Sequence, residues 1–461
     1  MKHSYFGDKT FYAAALAVAV PILIQNAITN FVGMLDNIMV GQVGNSQMSG
    51  VSIVNQLLFV FNLCIFGAVS GAGIFTAQFH GSGNHQGIQY TFRFKILVCL
   101  ILTAIGGAIL GIFDVPLIKL YLTGEGGAEQ AAEFLRYGQE YLIVMLFGLL
   151  PFALANAYAG TLRETGQTVV PMVAGICAVV VNLILNYVLI FGHMGFAPMG
   201  VRGAALATVI SRYVELAIVA FWVHKNTEKC PFIVGAYRSM AIPKELTGQI
   251  IAKGMPLLIN EALRAGGVAF LIRCYSVRGL DVISALNISS TIWNVFNVAF
   301  LAMGNAVGII MGKHLGAGEP EETVRDVNRK LLVFSVLFCL VFAVGLAAIS
   351  EVFPLIYNST DRIRDLASHF IRCVAIFMPF CAFTNAAYFT LRSGGKTVVT
   401  FLFDSCFVWC VCVPLAYGLS KYSTLPIVPL YFICQGTEVL KCFLGGYMIH
   451  KGSWIQNIVK E

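Results

Sequence analysis

Charge is what this sequence most lacks. Aspartate, glutamate, lysine and arginine make up 11% of its 461 residues, while 58% are hydrophobic. Soluble domains carry about a quarter charged residues, so an ordinary water-facing surface is excluded. The period-two alternation of membrane β-strands is also missing, which excludes a β-barrel. The basic residues behind the formal charge of +7 form no single block, so nucleic acid is excluded as a partner. Thirteen cysteines are present, but Cys99, Cys177, Cys339 and Cys406 lie inside apolar runs. The close pair Cys410 and Cys412 lacks metal-site spacing, and the set reads as small hydrophobes in helices. There is no phosphate-binding glycine loop, no HExxH and no nucleophile–base constellation. The chain therefore reads as no enzyme and as needing no cofactor, with an ion gradient as its energy source. No cleavable leader with a small-residue cleavage site is visible, and the first span is expected to serve as signal anchor.

What is present is a series of long apolar runs, each near or above the ~20 residues that a spanning helix needs. Their spans are 12–40, 46–79, 91–113, 133–155, 168–192, 201–224, 247–275, 282–313, 326–350, 365–392, 398–420 and 425–450. Helices satisfy every backbone polar group within the segment, so the expected fold is an all-α integral membrane protein of twelve transmembrane helices. Several runs exceed one crossing and must tilt, bend or project. The longest polar break, 225–246, divides the chain into a first six-helix lobe (1–224), a cytoplasmic linker and a second six-helix lobe (247–461). With both termini cytoplasmic, seventeen lysines and arginines fall on the cytoplasmic side and seven on the other, the asymmetry that sets topology.

An internal repeat supports this count. Pro21 matches Pro256 at an offset of 235 residues, and Gly73, Gly81 and Gly83 match Gly308, Gly316 and Gly318. HGSGN (80–84) thus corresponds to LGAGE (315–319). Further on the offset becomes 229: NAYAGTLR (156–163) matches NAAYFTLR (385–392), and Gly166-Gln167-Thr168 matches Gly395-Lys396-Thr397. Ordered matches at a nearly constant offset mark a duplication. Six is even, so both lobes enter from the same side and are related by a pseudo-two-fold axis along the membrane normal. Transporters of this kind bind substrate between halves and rock one against the other.

Ionised groups within spans are functional hypotheses. They are Asp36, Glu215, Glu261, Arg264, Asp404, Glu438 and Lys441. Asp36 lies in GMLDNIMVGQVG (33–44), fifteen residues after Pro21, or ~22 Å of helix; the proline removes a backbone bond and bends its helix. A desolvated carboxylate exchanges protons near neutral pH; the alternative is a cap at the outer helix end. Asn182 and Asn186 stand four apart on one helix face. Their amide oxygens suit sodium or a substrate hydrogen bond, or else bond helix to helix. Glu261 and Arg264, three apart, form a functional or a structural pair. Asp404 lies between apolar residues in the eleventh span, where a surface role is hard to assign, and with Glu261 it is a candidate for cation or proton coupling in the second lobe. Glu438 and Lys441, three apart, read as a structural pair. Trp293 and Trp409 fall within spans and either offer a π face to an organic cation or simply pack. Asn156, Arg264 and Trp293 complete the candidates as substrate-binding positions, and Pro256 is the second expected helix bend.

Together these residues point to a family. Pro21 followed by MLDNIMVGQVG, QFHGSGN, ANAYAGTLRETGQT (155–168), NLILNYVLIFG and GVRGAALAT (200–208) carry it in the first half. MPLLINEAL (255–263), GKHLGAG (312–318) and TLRSGGKT (390–397) carry it in the second. Over nearly its whole length the sequence resembles the multidrug and toxic compound extrusion (MATE) transporters. The resemblance implies cation-coupled export, by proton or sodium antiport, of amphipathic and often cationic organic compounds across the plasma (inner) membrane. It implies two six-helix lobes around a central cleft, and a protonation or sodium site of the first lobe at Asp36, with Asn182 and Asn186. DinF-like members place an aspartate where this chain has Asn186, so the pattern here is the N-x-x-x-N of NorM-like members. Glu261 stands closer to Pro256 than the NorM-like glutamate stands to its proline. The expected partners are small organic substrates and the lipid bilayer, with the protein acting as a monomer. A flippase of lipid-linked precursors from the same superfamily is the alternative, made conceivable by Arg264, Arg273 and Arg372; a membrane-embedded enzyme needs clustered ligands that are not visible.

Overall fold

A computed structural model describes residues 5–122, 128–357 and 359–460. Among the described residues there are helices and connecting turns but no strand. Twelve helices among the described residues are long and apolar enough to cross a membrane: α1 (Lys9–Gly41), α2 (Asn45–Gly81), α3 (His85–Ile112), α4 (Ala128–Glu164), α5 (Val169–Phe191), α6 (Gly200–Lys225), α7 (Lys244–Ser276), α8 (Leu280–Gly316), α9 (Glu321–Ala348), α10 (Asp361–Ser393), α11 (Thr397–Tyr422) and α12 (Ile427–Lys451). Every expected span is therefore a helix. Several helices outrun their apolar stretch. α2, α4 and α8 each have 37 residues, ~56 Å of rise against a hydrocarbon layer of ~30 Å. For α2 and α8 the apolar runs 46–79 and 282–313 already exceed one crossing, whereas α4 extends beyond its run 133–155 at both ends.

The chain divides into two compact units. One comprises Ile24–Thr76 and His85–Ile250; the other comprises Met1–Leu23, Ala77–Asn84 and Ile251–Glu461. Two pieces of the first half thus group with the second, and α1 changes unit two residues after Pro21. Both Pro21 and Pro256 lie inside their helices, which continue through them, although each proline deletes a backbone donor.

In the first-half unit α3 packs on α4, while α6 packs on both α4 and α5. Lys95 is fully buried in α3 and pairs with Glu164, with Thr161 Oγ1 at 3.1 Å from its ammonium. The segment 225–246 is a folded strap of this unit rather than a free linker. Its 3₁₀ turn Pro231–Ile233 buries Phe232 and Ile233. The Arg93 guanidinium donates to the carbonyls of Ala236, Ala241 and Gly235 at 2.8, 3.2 and 3.1 Å.

In the second-half unit α10 packs against α8, α9 and α12. The repeated glycines have distinct jobs here. A Cβ on Gly81 would collide with the Lys313 carbonyl, and one on Gly316 with the Gln78 carbonyl, so the two helix ends cross in backbone contact. Gly83 and Gly318, two residues on, have φ of +71° and +68°, the left-handed conformation that ends a helix at least cost for glycine. Gln78 at this crossing fixes the chain end: its amide donates to the Ser393 and Gln456 carbonyls at 2.8 and 3.1 Å and accepts from the Ile458 amide at 2.8 Å.

Candidate functional site

Each unit holds a cluster of polar side chains within its helices. In the first-half unit Asp36 of α1 meets α5. Asn186 Nδ2 donates to Asp36 Oδ1 at 2.6 Å and to Asn182 Oδ1 at 3.1 Å. Asn182 is 5% exposed and Asn186 1%, and the four-residue spacing puts both on the face turned to the carboxylate. From α6, Thr208 Oγ1 stands 3.3 Å from the Asn182 amide nitrogen. The amide atom of Asn182 that faces Asp36 lies 2.9 Å from Oδ1 and 3.2 Å from Oδ2. When that atom is the amide oxygen, two acceptors meet, an arrangement stable only with a proton or cation between them. When the amide turns, its nitrogen donates to both carboxylate oxygens. Turning also sets the Asn182 nitrogen 3.1 Å from Asn186 Nδ2 in place of the bond that Asn186 donates to Asn182 Oδ1. Asn186 Oδ1 is buried with no hydrogen-bond donor, a further oxygen with spare coordinating capacity. Arg212 is an electrostatic neighbour of Asp36 and is itself paired with Glu215 at 3.2 Å.

The cluster of the second-half unit centres on Asp404. Around it α11 departs from α geometry: Leu402–Cys406 and Val408–Cys412 are π-helical, a widened turn often found at functional positions. Lys441 of α12 donates to Asp404 Oδ1 at 2.7 Å. Asn260 of α7, fully buried, donates to Asp404 Oδ2 at 3.1 Å, and its own oxygen accepts from the Ser405 amide and hydroxyl at 3.2 and 2.7 Å. Tyr388 OH lies 3.5 Å from the same Asn260 nitrogen. The expected Glu438–Lys441 pair is corrected here: Lys441 turns to Asp404, and Glu438 accepts from Thr384 at 3.1 Å. Lys441 has a four-carbon reach and a carboxylate on the neighbouring helix, so sequence proximity did not decide its partner.

The candidates divide accordingly. Asp36, Asn182 and Asn186 come together as expected. Glu261 and Arg264 pair at 3.4 Å, and Asp404 finds partners outside the expected set. Asn156 spends its amide on the Phe152 carbonyl of its own helix at 2.9 Å. Trp293 packs against the second-half core with its ring centroid 5.4 Å from that of Phe300; neither residue bonds to either cluster. The Trp409 indole donates to the Leu263 carbonyl at 2.9 Å. Sequence reading missed Asn260, Ser405 and Thr208. The repeat held a signal for the first. Asn260 stands four residues after Pro256 as Gln25 does after Pro21, and Asp404 corresponds to Gly175 at offset 229. Gln25 indeed lies against Gly175, 3.3 Å from the position of a Cβ there, so one contact recurs in both units with different chemistry.

Comparisons with known proteins agree with this architecture. The MatE family model matches residues 21–188 and 256–417. The chain is 25% identical over 454 residues to a probable multidrug resistance protein NorM of Thermotoga maritima, covering 97% of this chain and 95% of that protein. It is 26% identical to the multidrug resistance protein PmpM of Pseudomonas aeruginosa, covering 90% and 85%. Relatives named NorM also occur in Bacillus subtilis, in keeping with the NorM-like character read from the sequence. A crystal structure of MATE in the straight conformation superposes with a TM-score of 0.85 at 18% identity, covering 97% of each chain. An outward-facing multidrug resistance MATE family transporter of the MOP superfamily does so with a TM-score of 0.84 at 18% identity, covering 98% of each. The matched segments take in most of the sequence, one in each half, and the chain belongs to the MatE family of multi-pass membrane transporters.

Proposed function

We propose that this protein is a cation-coupled antiporter that exports amphipathic, cationic organic compounds from the cytoplasm by alternating access. It does so as a monomer in the plasma membrane, with both termini cytoplasmic and no cofactor beyond the coupling ion. The transport lobes are 1–224 and 247–461, with 225–246 strapped between them in sequence. The observation that carries the reading is the Asp36 cluster. An isolated carboxylate within a span persists only if something offsets its charge. Its bonded neighbours Asn182 and Asn186 are neutral amides, and the Arg212 guanidinium near it is already paired with Glu215, so a proton or sodium ion supplies the charge balance. Loading and unloading at Asp36 then biases the lobes between inward- and outward-open states, each favoured by its differential affinity for the cation. Glu261 and Asp404 act in the second lobe on the path of substrate release, with the half-exposed Arg264 as an exchangeable partner of Glu261.

The test is dye export from vesicles reconstituted with purified protein, comparing an imposed proton gradient with an imposed sodium gradient. Export should follow one of the two and vanish in Asp36→Asn, whose amide mimics the neutral acid but releases no proton and balances no cation. Full export by folded Asp36→Asn protein would remove Asp36 from the coupling.

A further inference from the structure

Lys441 is a charged side chain 7% exposed, and neither coupling nor the expected Glu438 pair accounts for it. Its surroundings have a definite chemistry. The ammonium lies 2.7 Å from Asp404 Oδ1 and 5.3 Å from the ring centroid of the fully buried Phe403. A carboxylate oxygen and an aromatic face are the two elements that recognise an alkylammonium group. The carboxylate is also built in place. A turned Asn260 amide would set its nitrogen against the Ser405 backbone N–H and its oxygen against Asp404 Oδ2, so its nitrogen is committed to Asp404 Oδ2. Oδ1 is left for a cation. The π-helical turn Leu402–Cys406 contains Phe403 and Asp404 as successive residues, and both reach the ammonium, one by its ring and one by its carboxylate.

The charged and titratable groups facing Lys441 are Asp404 and Cys412 from α11, Cys381 from α10, and Glu438 and Cys442 from its own helix; Arg264 of α7 stands near Asp404, with Glu261 and Tyr388 near Arg264. Acids outnumber bases among them, so vacating the lysine leaves a negative site. We infer that Asp404, Phe403 and Asn260 form a binding site for a primary alkylammonium group, filled here by the chain's own Lys441 and open to an amine ligand when that side chain leaves. The second lobe thereby carries a tethered cation where the first relies on one from solution. The inference rests on the exporter reading for its use in transport, because an amphipathic amine is the expected cargo. Its test reads binding alone, so its failure and the failure of that reading are distinguishable.

Lys441→Ala removes three methylenes and the ammonium, for which n-propylammonium is the isostere. A short tether holds its group at an effective concentration in the mM range, so roughly 50 mM propylammonium is a fair replacement. Thermal unfolding of the purified full-length protein is followed in propylammonium chloride and in tetramethylammonium chloride at equal ionic strength. Lys441→Ala should gain several degrees in midpoint with propylammonium over tetramethylammonium. Wild type, with its site occupied, and Lys441→Ala/Asp404→Asn, lacking the carboxylate, should show no difference. Should Lys441→Ala prove too unstable to purify plainly, recovery of monodisperse protein only when membranes are solubilised in propylammonium is the same result. Equal behaviour of Lys441→Ala in the two salts, an equal gain in the double variant, or no recovery in either salt overturns the inference.

Discussion

The two units carry copies of one helical plan, yet they solve the problem of a buried carboxylate in opposite ways. In the first, Asp36 on α1 is met by the neutral amides of Asn182 and Asn186, one of which keeps a buried oxygen unbonded. In the second, the carboxylate has moved to α11, the partner helix is α7, and Lys441 supplies a positive charge at 2.7 Å. The repeat shows how the site moved. Leu271 and Val411 occupy the positions equivalent to Asp36 and Asn182 at offsets of 235 and 229. Asn260 lies eleven residues before Leu271 and Asp404 seven before Val411, which is ~16 and ~10 Å nearer the starts of their helices. Both residues shift in the same direction, so the whole cluster has slid towards one membrane face. Duplication fixed the helix packing and left the depth and charge balance of each site free to diverge.

The largest expected effect breaks the comparison on its first side. Asp36→Asn should lower gradient-driven dye export on the order of 100-fold or more, because the coupling group is lost outright, while size-exclusion profiles stay monodisperse. The second side should fail differently. Removing one member of a buried ion pair strands the other, so Asp404→Asn and Lys441→Met should each destabilise the protein by about 3–5 kcal/mol, and the double variant by much less than their sum. Unfolding midpoints of the three proteins check this; additive losses would mean that the pair is not coupled. No such rescue is expected between Asp36 and Asn186.

Asn186→Asp sharpens the contrast further. It sets a second carboxylate where an amide now donates at 2.6 Å to Asp36. Two acids so close titrate as a pair, so export measured against pH at a fixed gradient should change from one step to two. The smallest effect concerns the strap. Cys230 is fully buried there, and its burial pushes the thiol up to about 11. A raised thiol releases its proton only at higher pH. At pH 8 its thiolate fraction is then ~100-fold below that of an ordinary cysteine, with maleimide labelling slowed to match. Arg93→Ala removes the three carbonyl contacts and should restore much of that rate, seen by mass spectrometry of the labelled peptide.

The fold was legible because lipid imposes long apolar helices, and each of the twelve runs carried its own signal. Asp36 with Asn182 and Asn186 was legible only through the family resemblance, since on spacing alone the carboxylate reads equally as a helix cap and the amides as a helix–helix bond. The Asp404 cluster was not. Its partners come from α7 and α12, and Lys441 has an acid at i−3 in Glu438 that offers a local pairing as plausible on spacing as the real one. Asn260 stands beside the more conspicuous Glu261, and only the recurrence of the Gln25–Gly175 contact at the repeat offsets marks its place. The π-helical turns of α11 have no composition that distinguishes them from α-helix. The strap 225–246 reads as a polar break because its few buried side chains, Phe232 and Ile233 among them, form no long apolar run and its bonds to Arg93 run through backbone carbonyls.

The central claim is that response to the ion gradient resides in the Asp36 cluster, while the Asp404 cluster is balanced from within by Lys441. The most direct measurement is the ratio of initial export rates with and without the coupling gradient, in vesicles holding Asp36→Asn or Asp404→Asn/Lys441→Met. The ratio should fall to one in Asp36→Asn and stay at the wild-type value in the double variant, whatever happens to the absolute rates. A gradient response that survives in Asp36→Asn and disappears in the double variant would contradict the account.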